Sequence, residues 1–167
     1  MANADKPNGF RFAYTLHGGP PSIGVYKNTA AIIYPGDHVM LDGGGRVAVN
    51  TASNPGMGVA NNYVSATSGQ DVYVYNDLKN TIFQVQCDED DLSDDTVIGL
   101  YYDILYTGGS TVTHQGQMEL DTNASVDDNL ELMGLVDRPD NAWGTNCDVY
   151  VRFHVDTQIQ VAVDTTA

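Results

Sequence analysis

Alternation of apolar and polar positions runs along most of this chain, in short bursts separated by turn residues. The period of two is that of a strand with one face in a core. At His38–Leu41, Val39 and Leu41 share one face and His38 and Met40 the other; at Arg46–Asn50, Val47 and Val49 share a face. Asp71–Tyr75 sets Val72 and Val74 against Tyr73 and Tyr75, and Thr81–Cys87 sets Phe83 and Val85 against Gln84 and Gln86. The clearest case is Asp148–Asp156. Val149, Val151, Phe153 and Val155 are predicted to face inward, and Tyr150, Arg152, His154 and Asp156 outward. Leu130–Val136 is apolar on both faces, as expected of a strand covered on two sides. Thr111–Asp121 reads as extended, with Met118 and Leu120 on one face, and Ile159, Val161 and Val163 allow a last short strand. Thr96–Tyr106 allows either a strand or an amphipathic helical turn before Gly99.

The segment Tyr34–Ala60 organises the rest. Pro35, Gly36 and Asp37 turn the chain into a strand, and Asp42–Gly45 reverses it, glycine reaching positive φ without a Cβ clash. Three glycines in a row also suggest a phosphate loop. Such a loop needs a helix N-terminus after it, and here Arg46–Val49 continues as strand. The segment Gly56–Ala60, GMGVA, predicts a backbone lying close against a neighbouring strand. The whole is mainly β, eight to ten short strands with turns every 8 to 12 residues and little helix, a small barrel or sandwich.

Residues 1–25 are rich in Asn, Gly and Pro, yet carry Phe10, Phe12, Tyr14 and Leu16 in alternation with Arg11, Ala13 and Thr15. Two readings stand. One is an extended N-terminal arm that docks its aromatic edge on a partner, ahead of a single β domain over residues 26–167. The other is an ordinary first strand of that domain. Alternation alone does not choose between them.

Composition narrows the function classes. Among 167 residues, 22 are acidic and 7 basic, a net charge of −15. A surface so acidic repels nucleic acid. No apolar run approaches the ~20 residues of a membrane-spanning helix, and the N-terminus has no basic-then-apolar signal pattern, so the expectation is no membrane and no secretion. Cys87 and Cys147 are then expected as free thiols, and the Asn123-Ala124-Ser125 tripeptide carries no weight as a glycosylation site. Asp88–Asp95, DEDDLSDD, lacks the central glycine and terminal glutamate of a calcium-binding helix-loop-helix and is expected to be a solvated loop, with Asp94 and Asp95 also suited to a helix start.

Catalytic chemistry is not legible. His17, His38, His114 and His154 are scattered without ligand spacing, no serine sits in a G-x-S-x-G elbow, and abundant carboxylates mean little without geometry. The expectation is a protein that is not an enzyme and has no cofactor. Ten tyrosines stand against four Phe and one Trp, a profile that suits binding surfaces.

The residues also carry a family resemblance. The opening MANADKPNGFRF resembles that of small head proteins of tailed bacteriophages. YPGDHVMLDGGGRVAV followed by GMGVANNYVSA is similar to phage capsid decoration, or cement, proteins, in which a G-D-x-V-x-L strand precedes a Gly-rich turn and a later G-V-A. TIFQVQCDED, GQMELDT and GLVDRPDN with Trp143 and Gly144 resemble the same group in order, with Gln117 a departure where a small residue is expected. The resemblance implies a structural virion protein, β-tulip-like in outline. It would bind the outer surface of the icosahedral head after assembly in the host cytoplasm, often as a homotrimer, and bridge subunits of the major capsid protein. Phe10, Arg11, Phe12, Tyr14 and Leu16 are the expected contact residues for shell or neighbouring subunit. The alternative is a carbohydrate- or receptor-binding β module of a tail or fibre, with Trp143 and nearby tyrosines as a stacking platform.

Overall fold

A computed structural model describes residues 3–51, 56–88, 92, 94–123 and 129–154. Eleven strands are found among them: β1 Arg11–Thr15, β2 Ile23–Lys27, β3 His38–Leu41, β4 Val47–Val49, β5 Gly58–Ala60, β6 Asp71–Tyr75, β7 Thr81–Gln86, β8 Tyr101–Leu105, β9 Glu119–Asp121, β10 Leu130–Leu135 and β11 Asp148–Phe153. A single 3-10 turn at Asp95–Val97 is the only helix among the described residues. The strands form two antiparallel sheets, ordered β1-β7-β11-β10-β8-β9 and β2-β6-β5-β3-β4. Neither sheet closes on itself through a full strand pairing: among the described residues only isolated parallel bridges, Asn28 to Val47 and Cys87 to Leu120, join β2 to β4 and β7 to β9, so the fold is a sandwich and not a closed barrel.

Strand register explains which side chains meet. In the larger sheet, Phe83, Val85, Leu130, Leu132, Val149, Val151 and Phe153 all point to the inter-sheet core and are buried. Val59 and Tyr75, opposite each other on β5 and β6, close that core from the smaller sheet. The other face of the smaller sheet is apolar too. Val39, Val47, Ala60, Val72 and Val74 form a second cluster there, covered by Ile33 and Val64, whose backbones pair with each other in both directions. The smaller sheet is therefore a middle layer, and its strands carry apolar residues on both faces, as strands covered twice must. Gly58 lets β5 and β6 approach: a Cβ there would lie 2.3 Å from the Tyr75 carbonyl oxygen.

The N-terminal segment differs from the arm reading. Phe10 is only 2% exposed and packs against Phe153 and Phe83, with ring centroids 5.0 and 6.4 Å apart. Its amide donates to the Gly36 carbonyl at 2.9 Å. β1 pairs with β7 from Arg11↔Gln84 to Thr15↔Thr81, with a bulge between Phe12 and Tyr14. Further upstream, the Gln86 side chain bonds to the Lys6 amide and the Ala4 carbonyl, and Asn3 bonds to Ala142 and Thr145. A boundary at residue 25 falls inside β2, which pairs with β6 over its whole length. Residues 3–27 thus supply one edge strand to each sheet, because the open side of β7 and an aromatic gap in the core accept them.

The acidic run also differs in part from a uniformly solvated loop. Asp88 is buried and accepts from the Thr122 hydroxyl at 2.5 Å, and Leu92 is part of the main core. Asp94 is exposed and caps the 3-10 turn, its Oδ1 accepting from the Thr96 amide at 2.9 Å. Glu89–Asp91 and Ser93 lie outside the described residues, as do Val155, Asp156 and the strand expected around Ile159, Val161 and Val163.

Candidate interaction surface

The exposed part of the N-terminal segment lies on two adjoining sheet edges. β1 is the last strand of the larger sheet and β2 the last of the smaller. On β1, Arg11 and Tyr14 face outward. Tyr14 contacts the edge of Tyr150 at 5.7 Å and is about half exposed, and Leu16 just beyond is exposed to a similar degree. Arg11 is exposed and forms no ion pair among the described residues.

β2 is exposed for a reason set by register. Ile23 lies opposite Tyr75 and Val25 opposite Tyr73, so all four share the face turned toward the larger sheet. Tyr75 is covered, because Phe12 stacks on it at 5.5 Å and Phe83 meets it at 6.0 Å. The larger sheet ends at β1. Tyr73, Val25 and Ile23 therefore continue the same face into solvent as an apolar shelf, with Val25 56% exposed. Its far end is closed by the Lys27–Asp71 ion pair at 2.7 Å. A depression of about 310 Å³ beside the Phe12–Tyr75 stack is bordered by Arg11, Pro35, Asn61 and Gln115.

Of the residues expected to make contacts, Arg11, Tyr14 and Leu16 are on this surface. Phe12 is half-buried and forms the shelf's inner wall. Phe10 is in the core and is not available to a partner, because its ring packs against both Phe83 and Phe153, which also contact each other. Ile23 and Val25 are not legible in the sequence, because a five-residue strand split by Gly24 has too little alternation to stand out in a Gly/Pro-rich segment; Tyr73 is legible as one face of β6, but its exposure beside β2 follows only from strand pairing.

The other candidate positions separate. Trp143 is half-buried and packs against the main core. The exposed aromatic pair is instead Tyr63 and His114, stacked at 4.7 Å and 11°, with Tyr34 beside them. His154 lies on Tyr101 at 4.7 Å. His38 is fully buried between the sheets, against Phe153 at 4.9 Å. Its Nδ1 lies 3.5 Å from the Asn50 amide and 3.4 Å from the Tyr106 hydroxyl, and Nε2 has no hydrogen-bond partner among the described residues. Burial lowers its pKa from 6.5 to about 3. Asp37 beside it is buried as well. Burial raises its pKa to about 6, against the pull of the Tyr34 amide, which donates to Oδ2 at 2.9 Å. Among the described residues, no group of three or more His, Cys, Asp or Glu is placed to hold a metal ion, and no helix is long and apolar enough to cross a membrane.

No family model, curated protein or solved structure matches the chain.

Proposed function

We propose that this protein is a structural component of a tailed-bacteriophage particle. It attaches to the outer surface of the icosahedral head, as a homotrimer, and stabilises the shell by bridging subunits of the major capsid protein. The observation that carries the reading is the pair of adjoining open edges. In a chain of net charge −15, one continuous segment presents Arg11, Tyr14, Leu16, Ile23 and Val25 to solvent, with Tyr73 alongside. Unpaired strand edges flanked by apolar side chains are templates for strand addition by a partner. The serial motif resemblance supports the same reading.

Magnitudes favour bridging over a single contact. Fully burying one such side chain contributes roughly 1.5–3 kcal/mol, and association of two bodies costs an estimated 4–15 kcal/mol. Half-exposed residues can gain only part of the first figure, so one copy on one subunit is held weakly. Several copies joined in an oligomer, each touching the shell, add through effective concentration.

The test uses shells that lack the protein. Val25 points to solvent, so Val25→Asp should fold normally and melt within a degree or two of wild type, surface changes being worth about ±0.5 kcal/mol. Its occupancy on shells, read by sedimentation and electron microscopy, should fall at least about tenfold, the equivalent of 1.4 kcal/mol. Wild-type occupancy by this variant would overturn the assignment of the shelf, and failure of the wild-type protein to bind any shell would overturn the function.

A second reading, recognition of a carbohydrate receptor, rests on the exposed Tyr63–His114 stack. Binding of the isolated protein to a glycan array, abolished by Tyr63→Ala, would favour it.

A further inference from the structure

Cys87 and Cys147 end adjacent antiparallel strands and face each other. The pair before them in register is Gln86↔Asp148, and the Cys87 amide donates to the Cys147 carbonyl at 2.8 Å. Both are free thiols, both are buried in the main core, and their sulfurs are 3.3 Å apart. Buried cysteines ordinarily act as small apolar residues. Register sets these two apart. Opposed residues of an antiparallel pair have Cα atoms about 4.5–5.5 Å apart, inside the 4.4–6.8 Å window of disulfides, and bond formation requires the sulfurs to close by only about 1.3 Å. The backbone is shaped around the contact. Asn146 is in the left-handed region at φ 56°, and the next amide, that of Cys147, donates at 3.1 Å to the Cys87 sulfur and not to a carbonyl.

We propose that Cys87 and Cys147 are a modification site, a dithiol that closes to an intramolecular cross-strand disulfide when the protein meets a small-molecule disulfide oxidant. The Cys147 thiolate attacks one sulfur of the oxidant, forming a mixed disulfide and expelling one thiolate. The Cys87 thiolate then attacks the Cys147 sulfur, forming the protein bond and expelling the second thiolate. Two electrons pass to the oxidant, and the two thiol protons end on the two small-molecule thiols. Cys147 is taken as the first nucleophile: the contact between the two sulfurs holds its pKa below the ordinary thiol value, while the same contact and burial hold Cys87 above it. The bond closes a long loop, from residue 87 to residue 147, and fastens the turn carrying Trp143 to β7. Cross-linking so long a loop restricts the unfolded chain strongly.

The experiment uses the full chain and oxidised glutathione, in two arms. Native protein is incubated with it, and denatured, reduced protein is refolded in a glutathione redox buffer, which removes any barrier from burial. Each sample is denatured, alkylated with iodoacetamide and weighed intact. The expected product takes up no alkyl group, weighs about two mass units less than the dithiol, and yields a peptide linking Cys87 to Cys147. Its thermal midpoint lies about 5 °C or more above that of the dithiol form, a shift reversed by dithiothreitol and absent from Cys87→Ala and Cys147→Ala. Two alkylated thiols or stable glutathione adducts after the refolding arm would overturn the proposal. So would a linked protein that melts at or below the reduced one. None of these outcomes depends on what the protein binds.

Discussion

At the scale of single residues, Asp37 and His38 make the sharpest prediction. Burial disfavours the charged form of each, so their pKa values move in opposite directions, from 3.8 to about 6 and from 6.5 to about 3. Asp37 contributes stability that is full below about pH 4 and is lost as pH rises through about 6. His38 contributes stability that is full above about pH 6.5 and is lost as pH falls toward about 3. Between about pH 4 and 6 the fold holds one proton on Asp37 and the unfolded chain holds one on His38. The two slopes cancel there. Asp37→Asn keeps an acceptor for the Tyr34 amide and removes the compensation. Relative to wild type it should be most stable near neutral pH and lose that advantage steadily as pH falls from about 6.5 to 4, by on the order of 3 kcal/mol for a two-unit shift. Thermal midpoints measured across that range should converge. Parallel curves would show that Asp37 is solvated in the native state.

At the scale of elements, β11 and β1 behave differently under perturbation. β11 lies between β7 and β10 in the larger sheet, and Val151 is fully buried opposite both Phe83 and Leu132. Val151→Asp places an uncompensated carboxylate in the core and should destabilise by several kcal/mol. A chemical-denaturation midpoint equal to wild type would refute this strand's position. β1 is an edge strand, yet deletion of residues 2–22 removes Phe10 from the aromatic cluster. Loss of a buried Phe costs about 3–5 kcal/mol, and the deletion also strips the pairing from β7. The truncated chain should therefore melt well below wild type or fail to fold. A truncated protein with an unchanged midpoint would restore the arm as a separate element.

For the whole molecule, the excess of acidic residues acts on stability through self-repulsion. Of the seven basic residues, Lys27, Arg138 and Arg152 are in ion pairs with Asp71, with Asp140 and Asp148, and with Glu131. The remaining charge is mostly uncompensated. Raising ionic strength from about 0.01 to 0.15 M shortens the screening length from about 30 to 8 Å, which relieves repulsion in the compact state. The thermal midpoint of the wild-type protein should rise by a few degrees over that range. A flat or falling midpoint would mean that attractive pairs outweigh the net charge.

Local pattern determined much of this fold. Valine and phenylalanine at every second position of β11 and β7, the Pro-Gly-Asp turn into β3 and the Gly-rich reversal before β4 are consequences of backbone sterics and of a two-residue period, both readable in a short window. The close approach at Gly58 was legible for the same reason. Which face of the smaller sheet is covered was not legible, because Val39 and His38 point opposite ways and both are buried, one beneath the Ile33–Val64 layer and one against Phe153. The fate of the N-terminal segment was equally hidden. Phe10 and Tyr14 look alike in an alternating run, yet one fills the aromatic core and the other stays half in water, a difference decided by the bulge in β1 and by where the larger sheet ends. Cys87 and Cys147 became neighbours only through the pairing of β7 with β11. Short-range periodicity sets what each strand presents, but layer order, sheet edges and contacts across sixty residues arise from packing between strands distant in the chain, and those decided the exposed shelf and the facing thiols.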